Sequence, residues 1–110
     1  MVGKFNGNSL SNICPICEWD QLTEPPYSGE HLVGSDEICP SCGFQFGYSD
    51  DGAASGRYPL EWTREMIVLD YRQKWIDNGM KWRFPNDPFY PRPQNWNPEE
   101  QLKNIGINLE

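Results

Sequence analysis

Three features of this 110-residue sequence predict a small α+β fold. Its four cysteines fall into two C-x-x-C pairs. Residues 60–78 carry apolar side chains at helical spacing, and the run from Trp82 to Trp96 interleaves prolines with aromatics before a second helix start. The expected order is two cysteine knuckles with short antiparallel strands, one long helix, a Pro/aromatic-rich extended segment and a short C-terminal helix. Residues 1–110 read as a single domain, with 13–53 as the knuckled part and 54–110 as a helical extension packed on it.

The pairs are Cys14-Pro15-Ile16-Cys17 and Cys39-Pro40-Ser41-Cys42, with 21 residues between Cys17 and Cys39. That spacer is slightly longer than the roughly 15–20 residues usual for such metal sites. Two sulfurs three positions apart on a tight turn can face one ion, and two such turns supply the four thiolates of a closed tetrahedral zinc site. Together with their strands they make a zinc ribbon, with Cys14, Cys17, Cys39 and Cys42 as ligands of one structural zinc per chain. Each proline fixes φ and favours the turn. Gly43 follows the second pair, where a positive φ lets backbone N–H groups approach the sulfurs. Glu18 stands in the same place after the first, so that knuckle is expected to be less regular. The alternative of two disulfides belongs to an oxidising compartment. A thioredoxin-like redox pair needs a surrounding βαβ pattern, and neither pair has one.

Composition points to a staple. Hydrophobic residues make up 37%, and ten Gly and ten Pro mark many turns. A small core of this kind often relies on a metal, with five Trp, five Tyr and five Phe supplying much of the buried area. The N-terminal stretch has no apolar core of a secretory signal, and no apolar run reaches membrane-spanning length. The expected location is the cytoplasm. The net charge of −7 is uneven. Residues 1–53 hold eight acids (Glu18, Asp20, Glu24, Glu30, Asp36, Glu37, Asp50 and Asp51) against Lys4, whereas residues 54–110 balance eight acids with eight bases. An acidic cysteine half repels phosphate backbones and suits a basic protein partner.

Residues 1–12 read as a loose polar arm. Trp19 and Phe44 lie two residues beyond Cys17 and Cys42, matched aromatics that predict a short strand after each knuckle. Phe44, Phe46 and Tyr48 alternate with Gln45 and Gly47 at strand period, and Glu37-Ile38 ends the strand entering the second knuckle. Pro25-Pro26-Tyr27-Ser28-Gly29 and Gly34-Ser35-Asp36 are turns. His31 between them reads as a solvated loop residue rather than a ligand or base. Ser49-Asp50-Asp51-Gly52 reads as a turn rather than a cation site, because hard cations need more oxygens than it lines up.

In the long helix Trp62, Met66, Leu69 and Ile76 fall near one stripe, with Ile67, Tyr71 and Trp75 beside it. Pro59 precedes it, Glu61 and Glu65 suit its N-terminal end, and Asn78-Gly79 stops it. Pro85, Pro88, Pro91 and Pro93 forbid a helix in the next segment. Its aromatics either dock on the long helix or form a partner surface. Asn97 then caps a final helix with Pro98 at its first position, and Gly106 ends it.

The C-P-x-C knuckles with following aromatics resemble rubredoxin-like zinc ribbons. Cys39-Pro40-Ser41-Cys42-Gly43-Phe44-Gln45-Phe46-Gly47-Tyr48-Ser49-Asp50-Asp51, preceded by Glu24-Pro25-Pro26-Tyr27, is similar to the small bacterial cysteine-rich CPCC proteins, as are Tyr71-Arg72-Gln73-Lys74-Trp75 and Gly79-Met80-Lys81-Trp82. That resemblance covers most of residues 13–105 and implies a metal-binding fold. It also permits a toxin–antitoxin role as an immunity protein. The Glu18 departure bears on thiolate hydrogen bonding, not on ligation.

An enzyme is poorly supported. His31-Leu32-Val33 lacks the glutamate of a zinc deaminase motif, and a closed four-cysteine site has no position for a reactive water. Rubredoxin-like iron electron transfer is an alternative, since the same four thiolates hold iron. A zinc-ribbon nucleic-acid module is another, and the acidic balance argues against it. The favoured reading is a non-catalytic zinc-binding interaction protein for a basic partner such as a toxic nuclease.

Overall fold

The computed structural model describes residues 12–85 and 87–103. Among these, two β-strands and three helices are arranged as β1 (Tyr27–Ser28), β2 (Val33–Gly34), α1 (Gly52–Ser55), α2 (Arg64–Asp77) and α3 (Pro98–Lys103). The polar arm before residue 12 and the stop at Gly106 lie outside the described residues.

The strands form an antiparallel hairpin inside the inter-knuckle loop, with Tyr27 opposite Gly34 and Ser28 opposite Val33. The sequence suggested only turns there. The hairpin is held against the second knuckle by close backbone approach: a Cβ on Gly34 would lie 2.5 Å from Gly47 Cα. Only a residue without a side chain fits there.

The expected aromatic strand over residues 44–48 is not formed. Its pairing shrinks to a single bridge, Ile38 with Gln45, flanked by Cys39 N–H to Phe44 O and Asp36 N–H to Phe46 O, each 2.9 Å. Beyond Phe46 the chain curls, because Gly47 takes φ +96° and both Tyr48 and Ser49 donate their N–H groups to Gln45 O. Phe44 and Phe46 are buried as the alternation requires, whereas Tyr48 is exposed. The strand expected after the first knuckle is likewise absent. There the chain is held by Cys14 N–H to Trp19 O and Leu22 N–H to Asn12 O.

Asp51 opens α1 by accepting from Ala53 N and Ala54 N, so the predicted turn continues into one short helix. The long helix starts at Arg64, four residues later than expected. Thr63 caps it, with its Oγ1 accepting from Met66 N at 3.2 Å. It ends as read. Gly79 takes φ +96°, Gly79 N–H bonds Ile76 O, and Met80 N–H bonds Trp75 O, which is the Schellman arrangement.

The buried face of α2 differs from the predicted stripe. Ile67, Val68, Arg72 and Trp75 point inward, while Met66 and Leu69 are 44% and 51% exposed. The inward face is thus rotated, and an arginine sits in its middle. The proline-rich segment divides. Trp82 is buried and packs edge-to-face on Trp19 (4.9 Å) and Trp96 (5.2 Å), but Phe89 is 84% exposed. Asn97 caps α3 as predicted, accepting from Glu100 N at 3.1 Å, and Leu102 is fully buried. The core therefore gathers the four cysteines, Ile16, Trp19, Phe44, Phe46, Ile67, Val68, Trp75, Trp82 and Leu102.

Candidate metal centre

The two cysteine turns share one backbone pattern. In the first, Glu18 N–H bonds Cys14 O (2.9 Å) and Cys14 N–H bonds Trp19 O (2.8 Å). In the second, Gly43 N–H bonds Cys39 O (2.8 Å) and Cys39 N–H bonds Phe44 O (2.9 Å). The matched aromatics of the sequence are thus matched carbonyl acceptors. Glu18 takes φ +70°, beside +85° at Gly43. The expectation of a less regular first knuckle is therefore corrected: Glu18 adopts the glycine conformation at a steric cost.

This geometry brings Cys14, Cys17, Cys39 and Cys42 together, buried, with their Sγ atoms all within 4.8 Å of one another. Cys14 lies 3.7 Å from Cys42 and Cys17 lies 3.7 Å from Cys39. All four cysteines are free thiols, so the two-disulfide alternative is not what the fold builds. Zinc–sulfur bonds of about 2.3 Å give a tetrahedron with edges near 3.8 Å. The residues present therefore fit such an ion. Ile16 N–H also points at Cys14 Sγ, 3.4 Å away.

Electrostatics point the same way. Burial pushes the Cys14 and Cys42 thiols well above the ordinary cysteine range. Burial opposes ionisation of Cys17 as well, yet hydrogen bonds from Cys14, Cys39, Cys42 and Ser41 outweigh it and hold this thiol well below that range. Four thiols at this distance resist ionising together, and a divalent cation at their centre removes that resistance.

The C-terminal half grips the carbonyls of both turns. Arg72, 6% exposed, donates from Nε to Ile16 O and from Nη2 to Pro15 O, each at 2.7 Å. Its neighbour Tyr71 donates to Cys42 O at 3.1 Å. Arg83 N–H reaches Pro40 O at 2.9 Å. Gln101 of α3 donates to Cys17 O at 2.9 Å and accepts from Trp96 Nε1 at 2.7 Å. Burial pulls the Arg72 guanidinium down, and attraction to Cys14, Glu18, Cys17 and Cys42 counters it. The sequence places Tyr71 beside the apolar stripe and Arg72 toward the negative end of the helix as a charge for its dipole; that second reading is corrected, since Arg72 is buried and spent on the first turn's carbonyls. The available signal was a lone arginine between Val68 and Trp75, at helical spacing from both.

The other singled-out residues do not join the cysteines. His31 is exposed in its loop. Asp50 and Asp51 diverge. Asp50 is buried and accepts from Tyr27 Oη and from Gly47 N (3.1 Å), with Arg64 Nε 3.5 Å away. Asp51 caps α1. The turn reading of that stretch stands, and Asp50 is withdrawn from the acidic surface.

Two Bacillus subtilis (strain 168) proteins are similar to this chain: YozI, 36% identical over 78 residues, and YoaQ, 36% identical over 77. Both carry the description "uncharacterized protein". Each likeness covers 67% of this chain and 64% of the relative, so the chain spans less than two thirds of their length. No family model matches the chain, and no solved structure does. No helix among the described residues is long and apolar enough to cross a membrane.

Proposed function

We propose that the chain is a non-catalytic interaction protein whose four cysteines together hold one structural zinc ion. The sulfur quartet carries this reading: four buried thiols all lie within 4.8 Å of one another, and two of the pairs, at 3.7 Å, match the edge of a zinc–sulfur tetrahedron. Zinc held this way supplies a cross-link between two loops and keeps no position for a reacting water. Arg72, Tyr71 and Gln101 fix the loops by their carbonyls, so the site is supported from outside as well.

Asp20, Glu24, Glu30, Asp36 and Asp51 are exposed and support docking of a basic protein, because an excess of one charge sign speeds encounter with the other. In its most specific form the protein is a cytoplasmic immunity protein that covers a cationic toxin such as a nuclease. Co-expression with the product of the adjacent gene tests this. A stable complex and rescue from toxicity are expected, both weakened when Asp20, Glu24 and Asp36 are changed to Lys. Absence of both complex and rescue removes the immunity role.

Iron is the second reading, since four sulfurs in a tetrahedron suit zinc and iron alike. The visible spectrum separates them: a colourless protein supports zinc, and a red one with a reversible one-electron couple supports electron transfer.

A further inference from the structure

A second site lies beside the cysteine turns. A cleft of about 560 Å³ opens between Cys42-Gly43 and the far end of α2. Four cationic side chains line it, Arg57, Lys74, Lys81 and Arg83, and no acidic residue does. The whole chain has nine lysines and arginines against sixteen acids, so this grouping runs against its overall charge. Lys74 is paired with Asp70 at 3.0 Å. Among the described residues no carboxylate pairs with Arg57, Lys81 or Arg83.

The remaining walls are aromatic and amide-bearing. Tyr48, Tyr58, Tyr71 and Phe84 line the cleft, and Tyr48 is 44% exposed. Gln45 and Asn78 add groups able to pair with the polar edge of a ring. Arg83 is held across Gly43, where an added Cβ would meet its Cδ at 2.5 Å. The guanidinium is therefore placed by the same glycine that the second cysteine turn requires. The volume lies within the range of small-molecule sites.

We propose that this cleft binds a small organic phosphate carrying a planar ring, of the nucleoside phosphate class. Cations without carboxylate partners supply the anion site, and the exposed ring of Tyr48 supplies a stacking face. A bare anion leaves the rings unused, and an acidic peptide has no need of them. None of the exposed carboxylates offered to a basic partner lines the cleft, so this site is independent of the proposed docking surface.

Titration of the metal-loaded, isotope-labelled protein with adenosine 5′-monophosphate, followed by amide NMR, tests the assignment. Saturable shifts are expected at Gly43, Tyr58 and Lys81. Adenosine alone and inorganic phosphate alone should each bind at least about tenfold more weakly. The double variant Arg57→Gln/Arg83→Gln should lose about tenfold or more in affinity, and Lys81→Gln, altering an exposed side chain, gives a second reading if the double variant melts early. No saturable shift at millimolar nucleotide overturns the proposal. So does equal affinity in the folded variants, or tighter binding of a poly-glutamate peptide or a single-stranded oligonucleotide than of the mononucleotide.

Discussion

Arg72 Nε lies 2.7 Å from the carbonyl oxygen of Ile16, and the same guanidinium reaches Pro15 O at 2.7 Å. A buried cation from the centre of α2 thereby closes the turn that carries Cys14 and Cys17. Arg72→Met keeps the apolar stem but leaves both carbonyls without their charged donor. Hydrogen bonds to charged groups contribute about 1.5–3 kcal/mol each, so a loss near 3 kcal/mol is expected. Arg72→Lys should recover only part of it, since one ammonium cannot reproduce the fork. Urea unfolding of the metal-loaded protein measures both. A change below about 1 kcal/mol for the methionine variant would show that the carbonyls are satisfied without it.

Glu18 holds φ +70° where the matching turn has Gly43 at +85°. Glycine at position 18 removes the steric cost of the left-handed region, so Glu18→Gly is expected to stabilise the protein by about 1 kcal/mol. Gly43→Ala should do the opposite by a similar amount, with Arg83 displaced by the new methyl. Thermal melting distinguishes the two, at roughly 4–8 °C per kcal/mol for a domain this small. Equal melting of all three proteins would place the strain elsewhere.

Asp50 joins the inter-knuckle hairpin to α2. It accepts from Tyr27 and from Gly47 N, and Arg64 Nε stands 3.5 Å away. Burial, and then the hydrogen bond to Asp50, push the Tyr27 hydroxyl above an ordinary tyrosine. Asp50→Ala removes the acceptor that this hydroxyl and the Gly47 N–H share and should cost about 3 kcal/mol, against about 1.5 for Tyr27→Phe. A double-mutant cycle should show coupling above about 1 kcal/mol. Strict additivity would dissolve the pair.

Two knuckles were legible in the sequence because ligand spacing is local: Cys-Pro-x-Cys closes one turn, and four sulfurs have few ways to be buried together. Asn78-Gly79 and Asn97-Pro98 were legible for the same reason, since caps act within one helical turn. The inward face of α2 was not. Arg72 is buried because it is consumed by carbonyls 56 and 57 positions away, and no periodicity records such a partner. Phe44 to Tyr48 alternates like a strand, yet Gly47 turns the chain before a ladder can extend. Glu18 hid the likeness of the two turns because local preference alone assigns that conformation to glycine.

Cys39→Ser removes one sulfur from the quartet. Metal affinity in a site of this kind is also folding free energy, so the variant should lose its ion and melt far below the parent. A strong chelator added to the parent should produce the same collapse, and acidification should release the ion as protons compete for the thiolates. Retained metal and an unchanged melting temperature in Cys39→Ser would count against a structural site.

Native mass spectrometry of the reduced protein, paired with elemental analysis and thiol counting, tests the central claim most directly. The predicted result is one tetrahedral metal ion per chain, zinc, with all four thiols protected from alkylation until the ion is removed. A chain without bound metal whose four thiols all react at once, or whose mass reports two disulfides, would contradict it.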